Sequence, residues 1–210
     1  MSADFRLGVV ILAAGASSRM GRPKLLLPWG ATTVVGHLIA QWKRQSAEQV
    51  VVVCAQGDTA LSAELDGLQF PQEARVFNPD PTRGMFSSIQ CAARWSGWRT
   101  ELSHWAITLG DQPHLKAETL RALLEFARAH PEKICQPLWQ EHRKHPVVLP
   151  AKAFGRLGTT GEQDLSRFLQ AMSVDRAFCE INDPGLEVDI DHPSDYERAL
   201  ALAASSRVFS

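Results

Sequence analysis

Residues Leu7–Leu12, LGVVIL, run apolar and largely β-branched, then give way at Ala13-Ala14-Gly15 to small residues. A strand can be apolar along its whole length only if both its faces are buried, as in a parallel sheet with helices on either side. The stretch that follows offers Ser17, Ser18, Arg19, Gly21 and Lys24. Missing side chains let backbone N–H groups approach phosphate oxygens, and nearby cations neutralise them. The spacing is not that of a P-loop, since Gly15-x5-Gly21 is separated from Lys24 by two residues. There is no Gly-x-Gly-x-x-Gly after this strand, so the dinucleotide fingerprint is absent.

The pattern downstream alternates. Thr32 and Thr33 are candidate N-caps for a helix whose apolar positions, Val34, Val35, Leu38, Ile39 and Trp42, have helical spacing. Gln49-Val50-Val51-Val52-Val53-Cys54 is a second buried strand, 59–65 a short helix, and Ala74-Arg75-Val76-Phe77 a third strand. This β-α-β-α-β opening implies a parallel sheet with helices on both faces. A Pro- and Gly-rich loop then leads to a helix over 85–95, a strand over 105–109 that stops at Gly110-Asp111-Gln112-Pro113, and a helix over 117–129. Short strands are expected at 134–138 and 146–149, flanking Gln140-Glu141-His142-Arg143-Lys144-His145. A helix is expected at 162–172, an extended piece at 178–181, a last short strand over 188–191, and a closing helix over 194–204 with Pro193 at its first turn. No linker-like composition divides the chain, so residues 1–210 read as one domain.

Composition narrows the partners. A formal net charge of −1 over 210 residues gives no electrostatic case for nucleic acid or an anionic membrane surface. No apolar run is long enough to span a bilayer, and Met1–Arg6 lacks the character of a signal n-region. Cys54, Cys91, Cys135 and Cys179 are scattered, without metal-ligand spacing, which suits four reduced thiols and a cytoplasmic location.

Leu12-Ala13-Ala14-Gly15-x-Ser17-x-Arg19-Met20-Gly21-x-x-Lys24 closely resembles the signature of the nucleotidyltransferases that include the molybdopterin cytidylyl- and guanylyltransferases. The resemblance runs from Val9 to the final helix and is carried by three motifs in order. It implies a Rossmann-like three-layer α/β/α fold with a mostly parallel sheet. It also implies that the loop wraps the triphosphate of an NTP, with backbone of residues 12–15, Ser17 and Ser18 around it and Arg19 and Lys24 neutralising it. Catalysis would fall to Arg19, Lys24 and Asp111.

The second motif is Gly110-Asp111-Gln112-Pro113. Ligands of open parallel sheets sit outside the carboxyl ends of the strands, which puts Asp111 on that rim. Hard oxygen ligands beside a triphosphate suit Mg²⁺. The third is Val188-Asp189-Ile190-Asp191-His192-Pro193-Ser194-Asp195. Strand alternation would point Asp189 and Asp191 the same way, an arrangement hard to justify without a cation nearby. The family pattern is Asp-Ile-Asp-Thr-Pro-Glu-Asp, from which this chain departs at His192 and Ser194. Asp111 and Asp191 are expected to hold Mg²⁺, with Asp189 in support and Asp195 charging the first helical turn.

Asn78, Gly84 and Ser88 fall in segments resembling the nucleotide pocket of these enzymes, while Ser87 and Ser88 equally suit the start of a helix. His142-Arg143-Lys144-His145-Pro146-Val147 resembles the family's Arg-Gly-His-Pro-Val, with Lys144 where the family has Gly. Lys144 and His145 are the candidate contacts to the acceptor's phosphate, and a solvated hairpin tip is the other reading. The resemblance implies an NTP, CTP in preference to GTP, and a phosphorylated small-molecule acceptor. A transient contact with a molybdoenzyme or its chaperone comes with it. A noncatalytic nucleotide-binding accessory protein, a transferase for another phosphorylated acceptor and an NAD(P)-dependent oxidoreductase are the competing classes. The missing Gly-x-Gly-x-x-Gly counts against the last.

Overall fold

The computed structural model describes residues 5–172 and 174–207. Strand β1 (Leu7–Leu12) is buried at all six positions. After the small-residue loop come a two-residue ribbon, β2 (Pro28–Trp29) with β3 (Thr32–Thr33), and helix α1 (Val34–Arg44). Thr33 caps α1, its hydroxyl accepting from Gly36 N at 3.3 Å. The chain continues through β4 (Gln49–Ala55), α2 (Thr59–Gly67), β5 (Arg75–Asn78), α3 (Met85–Arg94), β6 (His104–Leu109) and α4 (Ala117–Ala129). Then follow β7 (Ile134–Trp139), β8 (His142–Arg143), β9 (Val147–Pro150), α5 (Ala151–Leu157), α6 (Leu165–Ala171), β10 (Arg176–Glu180) and α7 (Pro193–Arg207).

The eight-stranded sheet has the order β10-β7-β9-β6-β1-β4-β5, with β8 paired to β7. It is mostly parallel; β9 runs antiparallel to both β6 and β7. Strand periodicity divides the core into two layers. Val9, Ile11, Val50 and Val52 pack with Leu38, Trp42 and Leu120 on one face. Val10, Leu12, Val51 and Val53 pack with Phe86, Ile89 and Phe168 on the other. The sheet is therefore the middle of three layers, and β1 lies between β4 and β6 with its carboxyl end beside that of β6.

Two expectations are corrected. Residues 188–191 form no strand, although their alternation holds, with Val188 and Ile190 buried. The turn at Pro184–Glu187 turns the chain beyond the end of β6, where Ile190 N finds only the carbonyl of Asp111, at 3.2 Å, instead of a strand edge. The helix expected over 162–172 starts at Leu165, where Asp164 takes the N-cap and accepts from Arg167 N at 2.8 Å. Helix α5 was not anticipated. Its seven residues include Gly155, too little local propensity to declare a helix, and it is held by tertiary contact, Phe154 stacking on Trp105 at 4.6 Å between centroids.

Among the described residues no helix is long and apolar enough to cross a membrane. All four cysteines are free; burial pushes the Cys54 thiol up to about 12 and that of Cys135 to about 11, leaving both as inert core thiols.

Candidate active site

The site lies on the sheet rim beyond the carboxyl ends of β1 and β6. Ala13 N still bonds Val53 O at 2.9 Å, after which the backbone leaves the ladder and residues 13–17 arch over the strand end. Ser17 takes a left-handed conformation, φ 51°, and its hydroxyl accepts from Lys24 N at 3.2 Å, closing the loop on itself. The neighbouring strand must come close. A Cβ on Gly110 would stand 2.4 Å from the carbonyl oxygen of Leu12, so only glycine lets the segment carrying Asp111 lie against the loop.

Four charged side chains meet there. Lys24 Nζ is 2.6 Å from Asp111 Oδ2 and 3.4 Å from Asp191 Oδ1, and Arg19 reaches the other oxygen of Asp191 at 2.8 Å. Lys24 is sheltered and Arg19 open, with side chains 14% and 64% exposed, so Lys24 holds the fixed position and Arg19 the adaptable one. Asp111 Oδ1 is buried and has no hydrogen-bond partner. Asp189 is exposed as a residue, yet its Oδ1 accepts from the buried Gln112 Nε2 at 2.9 Å. Its carboxyl is pushed above the usual carboxylate range, first by loss of solvent and then by the charge of Asp111. Asp111 and Asp191 find their countercharge in Lys24 and Arg19, and Asp189 is held by Gln112 instead. Asp195 caps α7, as expected, Oδ2 accepting from His192 N at 2.7 Å and from Asp191 N at 3.2 Å.

A cavity of about 300 Å³ opens beside this cluster. Leu12, Ala13, Ala14, Gly15, Lys24, Gly84, Ser88 and Asp111 line it, so these eight predicted residues share one wall system. A smaller adjoining cavity brings together Ser17, Ser18, Arg19, Lys24 and Asp191. Asn78 stands behind the cavity instead of in it. It is buried, its amide donating to Ser87 Oγ at 2.8 Å and Ser88 Oγ at 2.9 Å, while its carbonyl accepts from Asp80 N at 3.0 Å. Gly84, φ 86°, makes the turn into α3 that places Ser88 on the wall. Asn78→Ala leaves these buried hydroxyls and an amide short of partners. It is expected to cost about 1–3 kcal/mol in urea denaturation.

Lys144 and His145 are not among the residues lining either cavity. Lys144 is ion-paired to Glu187, and the bond from His145 to Pro146 is cis. His145 Nδ1 lies 3.4 Å from Ile107 O; burial pushes its pKa down, against smaller opposing pulls from that carbonyl and then from Asp111. Lys in place of Gly is accommodated because the positive φ values of this hairpin fall at Gln140 and Glu141. The apolar walls Leu25, Pro81, Met85 and Leu109 were missed. Nothing local distinguishes them from core or surface residues; the pocket defines them. Gln112 was missed as a support, although it stands inside the second motif.

Residues 9–177 match the family model described as a MobA-like NTP transferase domain. The chain belongs to that family. The molybdenum cofactor cytidylyltransferase of Escherichia coli (strain K12) is 25% identical over 191 residues, covering 89% of this chain and 92% of that protein. The bifunctional protein GlmU of Leifsonia xyli subsp. xyli is 31% identical over 185 residues, but this chain spans only 36% of its length. A Mycobacterium sp. strain JC1 homologue of Mycobacterium tuberculosis Rv0371c has a TM-score of 0.75 at 28% identity, covering 95% of this chain and 98% of that one. The chain thus has the family of the MobA-like NTP transferases and a mostly parallel Rossmann-like α/β sheet.

Proposed function

We propose that this MobA-like transferase is Mg²⁺-dependent and moves CMP from CTP to the phosphate of molybdopterin or the molybdenum cofactor, releasing pyrophosphate. The observation that carries the reading is the convergence of Arg19, Lys24, Asp111 and Asp191 at the mouth of a cavity walled by residues 12–15. Cations for a triphosphate and carboxylates for a hard metal ion stand in one place.

The residues fit a divalent cation. Asp111 Oδ1 is a buried acceptor without a protein partner, and Asp191 reaches the same ammonium as Asp111. Among the described residues no group of three or more His, Cys, Asp or Glu is placed to hold a metal. Two carboxylates completed by phosphate oxygens and water match Mg²⁺. Asp111 and Asp191 would hold it; when bound, the ion neutralises charge building on the phosphoryl oxygens.

In the reaction an oxygen of the acceptor phosphate forms a bond to the α-phosphorus. The bond from that phosphorus to the bridging oxygen breaks, and its electron pair leaves with pyrophosphate. Backbone N–H groups of residues 14–18 hold the β- and γ-phosphates. Lys24 and Arg19 exchange their carboxylates for phosphate oxygens, and Lys144, once it gives up Glu187, would join His145 in meeting the acceptor's phosphate from outside the two cavities. Alignment and charge neutralisation then carry the chemistry without a protein nucleophile. The same chemistry on another phosphorylated small molecule is the second reading. A molybdoenzyme or its chaperone is the proposed recipient of the product. Pyrophosphate release from each of four NTPs, with and without molybdopterin, tests both readings. Release from CTP that does not depend on molybdopterin removes the named acceptor, and no release from any NTP reduces the chain to a binding protein.

The base preference follows from Ala14, which lines the cavity and is almost fully buried. Its methyl narrows a slot that a two-ring purine would need. One methyl in a pocket is worth about 1–3 kcal/mol, so CTP is expected to lead GTP by roughly 10- to 200-fold in kcat/KM from this contact. Ala14→Gly is expected to relax that ratio without reversing it. Equal turnover of subsaturating GTP and CTP by the wild type removes the argument. Ser88 is the candidate polar contact, its Oγ accepting from Asn78 with its own hydrogen left to donate.

A further inference from the structure

The segment running from the end of β6 into the first turn of α4 and the segment leading into α7 are laced together by bonds that the chemistry above does not use. Thr119 Oγ1 donates to Asp183 Oδ2, and His114 Nε2 meets Gly185 O at 2.9 Å. Gln112 Nε2 donates to Asp189 Oδ1 at 2.9 Å, and Ile190 N donates to Asp111 O at 3.2 Å. Residue numbers fall along one segment as they rise along the other. The two therefore run antiparallel, and the last rung leaves Asp111 beside Asp191.

The far rung is the unexpected one. Asp183 is 2% exposed, an ionisable side chain among buried neighbours that lines neither cavity of the site. Its second oxygen accepts from Gly185 N at 2.9 Å, and Lys116 Nζ stands 4.0 Å away. A buried carboxylate is a poor source of stability, because desolvation offsets much of what its partners return. What Asp183 does is geometric. It closes the turn at Pro184–Glu187 and ties it to the first turn of α4. From that turn residues 188–191 lead to Asp191, pinned on the way by buried Val188 and Ile190.

We propose that Asp183 is a positioning residue for the cation-binding pair, setting through the Thr119–Asp183–Gly185 tie how far the Asp191 carboxylate reaches toward Asp111. The inference rests on the reading that Asp111 and Asp191 hold the divalent ion. Residues that orient metal ligands from behind typically govern affinity by about 10- to 100-fold.

The test is Mn²⁺ binding to the full chain with CTP and no acceptor present, so that the triphosphate draws Lys24 and Arg19 off the two carboxylates, followed by the water-proton relaxation of protein-bound Mn²⁺. Asp191→Ala is expected to abolish binding. Asp183→Ala and Thr119→Val are expected to raise Kd by about 10- to 100-fold. Asp183→Asn keeps an acceptor for Gly185 N and a group to face Thr119, and is expected to stay within a few-fold of wild type. Arg75→Gln, which removes a buried bond to the Phe70 carbonyl and a half-exposed tie to Asp66 at the amino end of β5, is expected to lower Tm without moving the Mn²⁺ Kd. If Asp191→Ala binds Mn²⁺ as the wild type does, the metal reading itself fails. If Asp191→Ala loses binding while Thr119→Val and a folded Asp183→Ala keep it, the positioning role is overturned. Should Asp183→Ala fail to fold, Thr119→Val decides alone.

Discussion

Asp111→Ala is expected to abolish turnover while the protein stays folded. Asp111 sits on the turn after β6, its side chain touches Lys24 and no core residue is removed, so circular dichroism and Tm should stay near wild type. The bond that the fold takes from Asp111 is its backbone carbonyl to Ile190 N, which alanine retains. What is lost is a carboxylate with one oxygen on Lys24 and the other buried and unpartnered. Removing one charge-stabilising group from such a site costs on the order of 10²–10³ in kcat, and a metal ligand more. Asp191→Ala is expected to behave alike, and Asp195→Ala to cost only about 1 kcal/mol of helix stability. A folded Asp111→Ala protein that keeps wild-type pyrophosphate release with Mg²⁺ would falsify the metal assignment.

Lys24→Ala is expected to have the second largest effect, and to act on the transition state more than on binding. Charge grows on the departing pyrophosphate as the bond to the α-phosphorus breaks. An ammonium held at that point therefore stabilises the transition state more than the bound NTP. The loss in kcat/KM, on the order of 10²–10³, should exceed the loss in NTP affinity measured by calorimetry. Arg19→Ala should follow the same pattern more weakly, since its side chain is open to solvent and screened. Lys24→Ala has a further consequence before any nucleotide arrives. It leaves Asp111 and Asp191 facing each other without their shared cation, so the free variant should be less stable than wild type and recover as Mg²⁺ is added. Equal losses in affinity and kcat/KM recast Lys24 as a simple binder. Lys152→Ala, on the exposed side of α5, is the control expected to change nothing.

Much of this protein was legible from residue order alone, because the informative signals were local and periodic. The apolar runs of β1 and β4 declare strands buried on both faces. The spacings in α1 and α4 declare one-sided helices, and a run of small residues after a strand declares a loop at the rim of the sheet. Even the alternation of Asp189 and Asp191 with buried Val188 and Ile190 held where the strand did not, since alternation needs only extended backbone. Other features depend on partners distant in the chain. Helix α5 is seven residues with a glycine, and its position is set by Phe154 on Trp105, 49 residues away in sequence. Asn78 looked like a ligand contact and proved to be the support behind Ser87 and Ser88, a distinction made by which side of the cavity wall a side chain occupies. Lys144 looked like a free cation until Glu187 was brought to it. The meeting of Lys24 with Asp111 and Asp191 requires β6 to lie beside β1 and the 183–191 segment to fold back over both. Sequence determines which groups can bear charge and which stretches must be buried; which charges meet is decided by strand order and close approach, at Gly110 above all, where the absence of one Cβ lets two segments touch.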